Sequence, residues 1–308
     1  MTVSTSPEQT KAAIMALFNG FTMETTPKSA EKIPAYDQRL RHETPIYVTF
    51  LPGSNVQDTV ALCKRIVGEG FTPIPHIAAR SLESEQMLKD LASAYVDMGL
   101  EKVLCIAGGV EDKDIKGPFS DSRQVLDSGI LDKAGIKKIS VAGHPEGSPD
   151  MGDDAIQAAL DWKNKYAEST GAQLDICTQF AFEGGPVLAW ERRIRAAGNK
   201  LPIIVGFPGV ATIKTLLNFG MAAGVGNSLK FIRKRAMDVT KLLTVNAPDE
   251  LAVELAVGKA ADPDCLIQGV HMYAIGGLKK TSFWAYALAD GKFDVTPKGG
   301  IKLHEPLP

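Results

Sequence analysis

The sequence lacks the features that mark several special classes of protein. Only four of its 308 residues are cysteines, and no two of them have the spacing of a metal-ligand pair. No apolar run reaches the ~18 residues that a membrane helix needs, and the first residues have no signal-peptide profile. The net charge is −2 and there is no basic block, so nothing indicates binding to nucleic acid or to an anionic membrane. We therefore expect a cytoplasmic protein that binds no metal, membrane or nucleic acid.

The few cysteines stand in apolar sequence. This context predicts reduced thiols buried in a core. None of them belongs to a motif that would clearly lower the pKa of a catalytic thiol. The four are Cys63, Cys105, Cys177 and Cys265.

What the sequence does contain is an alternation of strand-like and helical segments. Eight short strand-like runs separated by helical segments are typical of parallel βαβ units with right-handed crossovers. Eight such units predict an α/β fold, a single (β/α)8 TIM barrel over residues 1–308 with extra helices. No glycine-rich turn follows the first strand, which argues against a Rossmann domain, and there is no P-loop. The predicted strands are 20–26, 44–51, 71–79, 102–107, 138–143, 173–182, 202–207 and 265–273.

Helices are predicted between these strands and at the start of the chain. The first, at 7–18, is expected to cap the floor of the barrel. Residues 210–257 are predicted as a longer helical region, broken near Gly224 and again near Asn246. The last residues, 297–308, are a tail rich in proline and glycine. The other predicted helices are 29–41, 54–70, 82–98, 123–134, 153–170, 186–197 and 280–289.

Polar residues gather where the predicted strands end, and the active site of such a barrel lies at that end. Glu24 stands in the first strand, where a lone glutamate among apolar residues is costly to bury. A solvent-facing position or a structural ion pair would also explain it. The other residues at strand ends are Thr49, His76, Gly108, Gly109, His144, Gln179, His271 and Tyr273.

The sequence is compatible with two further kinds of site. His76, His144 and His271 together with Glu24 are ligand types that suit zinc or iron, but nothing in their spacing requires a metal. Lys163 and Lys165 could contact a phosphate-rich ligand, although a solvated helix face explains both lysines more simply.

Six short motifs, taken in order, resemble the methylenetetrahydrofolate reductase family over about residues 20–290. The resemblance implies a flavin-dependent barrel that reduces 5,10-methylenetetrahydrofolate to 5-methyltetrahydrofolate with NADH or NADPH. Whether the reaction serves methionine biosynthesis or one-carbon catabolism is left open. The motifs are Thr22-Met23-Glu24-Thr25-Thr26-Pro27, Pro75-His76-Ile77, Ile106-Ala107-Gly108-Gly109, Val141-Ala142-Gly143-His144-Pro145-Glu146, Thr178-Gln179-Phe180 and His271-Met272-Tyr273-Ala274-Ile275.

The resemblance also implies a role for each matching position. Glu24 stands where the family has its general acid. Gln179, Tyr273 and Ile275 match positions that contact the folate. The positions that match contacts with FAD are Thr49, His76, Gly108, Gly109, His144, Ser148, Asp161 and Lys165.

The chain departs from the family pattern just after its fourth predicted strand. Many members read Arg-Gly-Asp there, whereas this chain reads Ala107-Gly108-Gly109 and has neither charge. It also has Thr25 and Thr26 where aromatic residues are usual, and Gly276 where an asparagine is usual. The sequence therefore indicates a divergent member.

The expected chemistry explains why a glutamate is needed. The five-membered ring opens when its leaving nitrogen gains a proton, and hydride then adds to the iminium carbon. A carboxyl group donates only if it is still protonated near neutral pH, and burial at an apolar barrel mouth favours that form. Two other functions were considered: a non-redox folate-binding barrel for methyl transfer, and a flavin barrel oxidoreductase with another substrate, such as a proline dehydrogenase relative.

Overall fold

Eight parallel strands form a closed barrel in the computed structural model, which describes residues 6–50, 54–109, 115–148, 151–222, 243–296 and 299–308. The strands in chain order are β1 Thr22–Thr25, β2 Ile46–Val48, β3 Pro73–Ala78, β4 Lys102–Ile106, β5 Lys138–Gly143, β6 Gln173–Phe180, β7 Ile203–Pro208, β8 Ala211–Thr212, β9 Val245–Asn246, β10 Ile267–Tyr273, β11 Phe293–Val295 and β12 Ile301–Leu303. The barrel order is β1-β10-β7-β6-β5-β4-β3-β2. The predicted α/β barrel class is confirmed.

Helices connect and surround these strands. They are α1 Pro7–Phe18, α2 Pro27–Ala30, α3 Val56–Gly68, α4 Glu85–Asp97, α5 Ser122–Asp127, α6 Ile130–Ala134, α7 Asp153–Thr170, α8 Gly184–Ala196, α9 Ile213–Ala222, α10 Asp249–Ala260 and α11 Leu278–Ala289. Side chains cap several of them, as for α3, where Asn55 accepts from the backbone N–H of Gln57 at 2.9 Å. No helix in the described part of the chain is long and apolar enough to cross a membrane.

The chain divides into two compact units. The first, the Glu24 unit, comprises Thr22–Gly143 and Asp150–Cys177. The second, the Gln179 unit, comprises Met1–Phe21, His144–Pro149 and Thr178–Pro308. The single-domain interpretation over 1–308 stays a prediction.

In the Gln179 unit, the predicted first helix packs on the barrel strands through an aromatic cluster. The ring of Phe18, at the end of α1, lies 5.3 Å from that of Phe207 on β7 and 5.2 Å from that of Trp284 on α11, both in edge-to-face geometry. All three residues are buried. Such pairs add to the free energy gained by burying their large apolar surfaces, which explains why an N-terminal helix belongs to this core.

In the Glu24 unit, four parallel strand pairs bring together residues far apart in sequence. Tyr47, Ile74, Leu104 and Cys177 form one buried cluster.

All four cysteines of the chain are free and buried, which confirms the prediction for the thiols. Burial raises the pKa of Cys63 and Cys105 to about 12, so neither is a thiolate at neutral pH.

The helix predicted over 29–41 was wrong. The chain there has only the short helix α2 and a 3-10 turn at Tyr36–Gln38. Arg65 on α3 binds the carbonyl oxygens of Ala30, Ile33 and Pro34, and the Glu69 carboxylate accepts from the backbone N–H of Tyr36 at 2.6 Å. Because these carbonyls are turned towards Arg65 and Pro34 has no N–H, a continuous helix cannot form.

Three other segments differ from prediction in detail. The predicted helix 123–134 is two helices, since Gly129 adopts a φ of +65° between them. Of the region 210–257, α9 and α10 are helical as predicted, β8 and β9 pair antiparallel, and the break near Gly224 lies outside the described residues. β12, which lies within the tail 297–308, pairs antiparallel with β11.

Candidate active site

Glu24 lies on the opposite face of β1 from the buried Met23 and Thr25. Its side chain is only 13% exposed, so a solvent-facing position is excluded. Its Oε2 lies 3.9 Å from Nε2 of His76 on β3, whose side chain is 5% exposed. Glu24 and His76, both predicted site residues, are therefore neighbours within one unit, and both side chains are largely screened from water.

The ring of His76 is held on its other side by an aromatic contact. Its centroid lies 6.0 Å from that of Tyr47, with the two planes at 79°. Tyr47 is fully buried and is the register partner of Glu24 in the β1–β2 pair. Glu24, His76 and Tyr47 thus form one compact group at three adjacent strands.

Thr49, just beyond β2, is tied to β1 through its backbone. Its N–H donates to the carbonyl of Thr25 at 2.9 Å. Its hydroxyl is buried, and within the described part of the chain it makes no hydrogen bond. A buried hydroxyl without a partner lowers stability, so this position is suited to a ligand that supplies one.

Gly108, just beyond β4, lies close to β3. Its φ is +101°, a conformation that side chains with a Cβ rarely adopt, and an added Cβ would stand 3.2 Å from the Cβ of Ala78. Glycine is therefore favoured at this position both by its backbone conformation and by the closeness of Ala78.

Arg80 was missed by sequence reasoning, yet it organises this loop. From the turn after β3 its guanidinium donates to the carbonyl of Ser120 at 2.7 Å and to the carbonyl of Gly109. Its own backbone N–H donates to the carbonyl of Ala107 at 2.9 Å. The one signal was its position four residues after His76, at a strand end.

Helix α7 carries two predicted cofactor contacts on its exposed face. Asp161 accepts from the side-chain amide of Gln157 at 2.8 Å, and both Asp161 and Lys165 are exposed. Lys163 is different: its Nζ is buried and donates to the carbonyl of Ala142 at 2.8 Å. The solvated-face interpretation was wrong for Lys163, and burial lowers the pKa of this amine to about 8.

In the Gln179 unit, Gln179 and Tyr273 lie around one backbone stretch. The Tyr273 hydroxyl donates to the carbonyl of Thr178 at 3.0 Å, and its ring lies 5.3 Å from that of Phe180. The backbone N–H of Phe180 donates to Oε1 of Gln179 at 3.1 Å, which leaves the side-chain NH2 as the group that can donate to a ligand. Ile275 packs on the same aromatic cluster.

Gly206 on β7 makes this arrangement possible. A Cβ there would stand 2.6 Å from the carbonyl oxygen of Thr178 and 2.7 Å from Cε2 of Tyr273. Only glycine fits between them, so the identity of residue 206 sets the position of the Tyr273 ring.

Beyond the ends of β6 and β7, the same unit contains a cavity of about 220 Å³. No candidate residue was predicted at the end of the seventh strand, although Pro208 and Gly209 stand there as a turn signal. The residues that line this cavity include Phe182, Pro208, Ile213, Leu216, Asp249 and Glu250.

The remaining predicted residues lie in the Gln179 unit. His144 is partly buried, and its carbonyl accepts from the N–H of Gly147 in a turn that leads to Ser148. His271 is fully buried with its ring 4.8 Å from that of Tyr273. Among the described residues, no group of three or more potential ligands could hold a metal ion.

Comparison with known proteins identifies the family to which the chain belongs. The model of the family named methylenetetrahydrofolate reductase matches residues 18–280, most of the chain. The chain belongs to this family. The 5,10-methylenetetrahydrofolate reductase of Buchnera aphidicola subsp. Baizongia pistaciae (strain Bp) is 23% identical over 192 residues, which span 61% of this chain and 62% of that protein.

Among solved structures, an uncharacterized protein from Clostridium thermocellum, described as binding two copies of 5-methyl-5,6,7,8-tetrahydrofolic acid, has the same fold. The TM-score is 0.58 at 12% identity, over 92% of this chain and 98% of the other.

Members of the methylenetetrahydrofolate reductase family generally bind flavin, and the residues of the Glu24 unit fit such a group. The buried Thr49 hydroxyl has a hydrogen bond to offer. Gly108 carries no side chain that would cover its backbone amide, which suits a flat ring that packs on the backbone. Both stand with His76 at the carboxyl ends of consecutive strands.

Proposed function

We propose that the protein is a flavin-dependent reductase that converts 5,10-methylenetetrahydrofolate to 5-methyltetrahydrofolate, with NADH or NADPH as the electron source. The observation that carries the proposal is the position of Glu24, which is 13% exposed and 3.9 Å from His76, in a chain that belongs to the reductase family. A carboxyl group in this setting is partly open to a ligand and largely shielded from bulk water, as a proton donor needs to be.

In this proposal, Glu24 donates its proton to the ring nitrogen that leaves the methylene carbon. The C–N bond breaks, the nitrogen keeps the electron pair and takes the proton, and an iminium carbon remains. Reduced FAD, formed with electrons from NADH or NADPH, would supply the hydride to that carbon. Glu24 is left as the carboxylate, and His76 beside it can donate a hydrogen bond to that charge.

The other members of the Glu24 unit would hold the cofactor. The Thr49 hydroxyl and the backbone of Gly108 and Gly109 would contact it, and Arg80 would fix the loop that carries both glycines. Asp161 and Lys165, exposed on α7, are assigned to its ribose and diphosphate, as is Ser148 of the Gln179 unit. His144, also of the Gln179 unit, is assigned to a position near the cofactor.

The Gln179 unit would bind the folate. The side-chain NH2 of Gln179 can donate to the pterin edge, and Tyr273 and Ile275 supply apolar surface beside it. The cavity bordered by Phe182, Ile213 and Leu216 offers an apolar wall for an aromatic ring. That the Clostridium thermocellum protein of similar fold is described as binding a methylated tetrahydrofolate supports a folate as the ligand.

A non-redox folate-binding protein is the second candidate. The same Clostridium thermocellum protein favours it, because its description names only binding, and so does the absence of a charged residue at Gly108-Gly109 in this chain.

The visible spectrum of the purified protein separates the two candidates. The reductase is expected to be yellow, to bleach when NADH or NADPH is added without oxygen, and to regain its colour when methylenetetrahydrofolate follows. A colourless protein that binds folate and oxidises neither nicotinamide would favour the non-redox candidate. A yellow protein whose reduced form ignores the folate would contradict both candidates and indicate another flavin substrate.

A further inference from the structure

The segment that follows the strand of Glu24 is held by two charged residues, Arg65 on α3 and Glu69 at the end of that helix. The Glu69 carboxylate accepts from the backbone N–H of Tyr36 at 2.6 Å and from the Arg65 guanidinium at 2.7 Å. The same guanidinium donates to three backbone carbonyl groups of the segment, those of Ala30, Ile33 and Pro34. Charge-assisted hydrogen bonds of this kind are the strong ones, so residues 30–36 are firmly attached to α3.

Tyr36 links this attachment to β1. Its side chain is completely buried, and the centroid of its ring lies 5.4 Å from Cζ of Arg65. Its hydroxyl donates to Oγ1 of Thr25, the last residue of β1, at 3.2 Å. Tyr36 is therefore held at its backbone and at its ring, and its hydroxyl connects α3 to the end of the strand that carries Glu24.

The Thr25 hydroxyl uses both its oxygen and its hydrogen. The oxygen accepts from Tyr36 and lies 3.2 Å from the hydroxyl of Ser29 on α2. Ser29 donates its own hydrogen to the carbonyl of Thr26, so the hydrogen between the other two hydroxyls comes from Thr25. Thr25 is 3% exposed, so little water can take the place of either partner. The two hydrogen bonds fix its side chain from two sides.

Thr25 in turn is joined to two residues of the candidate site. Glu24 precedes it in β1 and points to the opposite face of the strand. The carbonyl of Thr25 accepts from the backbone N–H of Thr49 at 2.9 Å. Because β1 has only four residues, a displacement of its last residue is passed on directly to both neighbours.

We infer that Tyr36 is a positioning residue: through the hydroxyl of Thr25 it fixes the end of β1, and with it the placement of Glu24 and Thr49. Its hydroxyl meets the face of β1 opposite to Glu24, so it acts on the site through Thr25. The effect on the reaction rests on the proposed function, in which a small misplacement of the acid slows proton donation strongly.

Tyr36→Phe tests the inference, because it removes the hydroxyl and keeps the ring beside Arg65 and the N–H that binds Glu69. The first measurement is hydrogen exchange of the Thr49 backbone amide by NMR, in the purified protein with the cofactor it carries and with the amides of β4 as reference. We expect this amide to exchange roughly fivefold to tenfold faster than in the parent protein, relative to β4. The second measurement is the anaerobic reoxidation of the reduced flavin by methylenetetrahydrofolate, which should be roughly tenfold slower.

Tyr166→Phe is the matched control, because it removes from the same unit a hydroxyl that donates to Asp132 at 3.0 Å. It should lower the denaturation midpoint as Tyr36→Phe does, with both the relative exchange of Thr49 and the reoxidation rate unchanged. Thr25→Val should reproduce Tyr36→Phe and serves if that variant does not fold, whereas Thr25→Ser keeps the hydroxyl and should behave like the parent protein. Parent-like exchange of Thr49 in Tyr36→Phe, or in Thr25→Val where that variant serves, would overturn the inference.

The exchange measurement does not depend on the reaction. If the protein reduces no folate, the proposed function fails, and the exchange of the Thr49 amide still decides whether Tyr36 fixes the end of β1. If the protein reduces folate and Tyr36→Phe is reoxidised at the parent rate, the proposed function stands and the positioning role of Tyr36 is refuted.

Discussion

Glu24 and His76 face each other at 3.9 Å between Oε2 and Nε2, and both side chains are largely screened from solvent. The distance is longer than a hydrogen bond, so the pair can tighten when a ligand fills the site or when the proton leaves. In the proposed reaction, a histidine placed there would stabilise the carboxylate that proton donation produces.

Replacing His76 with glutamine should slow folate reduction roughly tenfold to hundredfold, since the carboxylate would lose part of its stabilisation. The measurement is the rate at which methylenetetrahydrofolate reoxidises the reduced flavin, with flavin content determined in parallel. His42→Gln is the control, because His42 is an exposed histidine of the same unit. Equal rates in the two variants would remove His76 from the site.

Arg80→Gln should weaken flavin binding roughly tenfold, because the loop after β4 loses two charge-assisted hydrogen bonds. Fluorescence titration of the flavin-free protein measures this affinity, and Arg80→Lys should restore part of it. Arg123→Gln, at an exposed arginine on α5, provides the comparison and should bind flavin normally. Flavin binding by Arg80→Gln with the parent affinity would mean that this loop does not contribute to cofactor binding.

Gly206→Ala should displace the Tyr273 ring, since the new Cβ would stand 2.7 Å from it. We expect a loss of about 1–3 kcal/mol in the free energy of unfolding and a higher KM for the folate. Gly269→Ala on β10 is the matched control, because its Cβ would meet only Ile204, at 3.9 Å. Denaturant unfolding and steady-state kinetics check both effects, and a KM equal to that of Gly269→Ala would exclude Tyr273 from folate binding.

The buried Lys163 should make stability depend on alkaline pH. Its pKa is about 8 in the folded protein and ordinarily 10.5, so between these values the unfolded chain holds a proton that the folded chain has lost. This group therefore adds stability as the pH rises through that window, by up to about 1.4 kcal/mol per pH unit. Lys163→Met lacks the gain.

The measurement for Lys163 is the difference in unfolding free energy between parent and variant across the window. This difference removes the contribution of the other titrating groups. The exposed Lys165→Met should show no such dependence, and a pH-independent difference for Lys163→Met would mean that its amine is charged or neutral in both states alike.

A segment could be predicted from the sequence where local residues determine its secondary structure. It could not where contacts with residues distant in sequence determine it. β5 and α7 match the predicted 138–143 and 153–170, because apolar patterning and flanking glycines define both locally. The helix predicted over 29–41 was wrong, because Arg65 and Glu69 bind backbone atoms more than 30 residues away and so determine the backbone conformation there.

The same distinction applies to the candidate site. Glu24, His76 and Gln179 could be named because they stand at predicted strand ends in motifs that resemble a family. Arg80 could not, since it acts through contacts with the loop after β4 that no local pattern reveals.

The proposed reaction depends most on Glu24 as the proton donor, and Glu24→Gln tests this directly in the anaerobic half-reactions. We expect the variant to retain its flavin, to be reduced by NADH or NADPH at the parent rate, and to be reoxidised by methylenetetrahydrofolate at least ~100-fold more slowly. Reoxidation at the parent rate would contradict it.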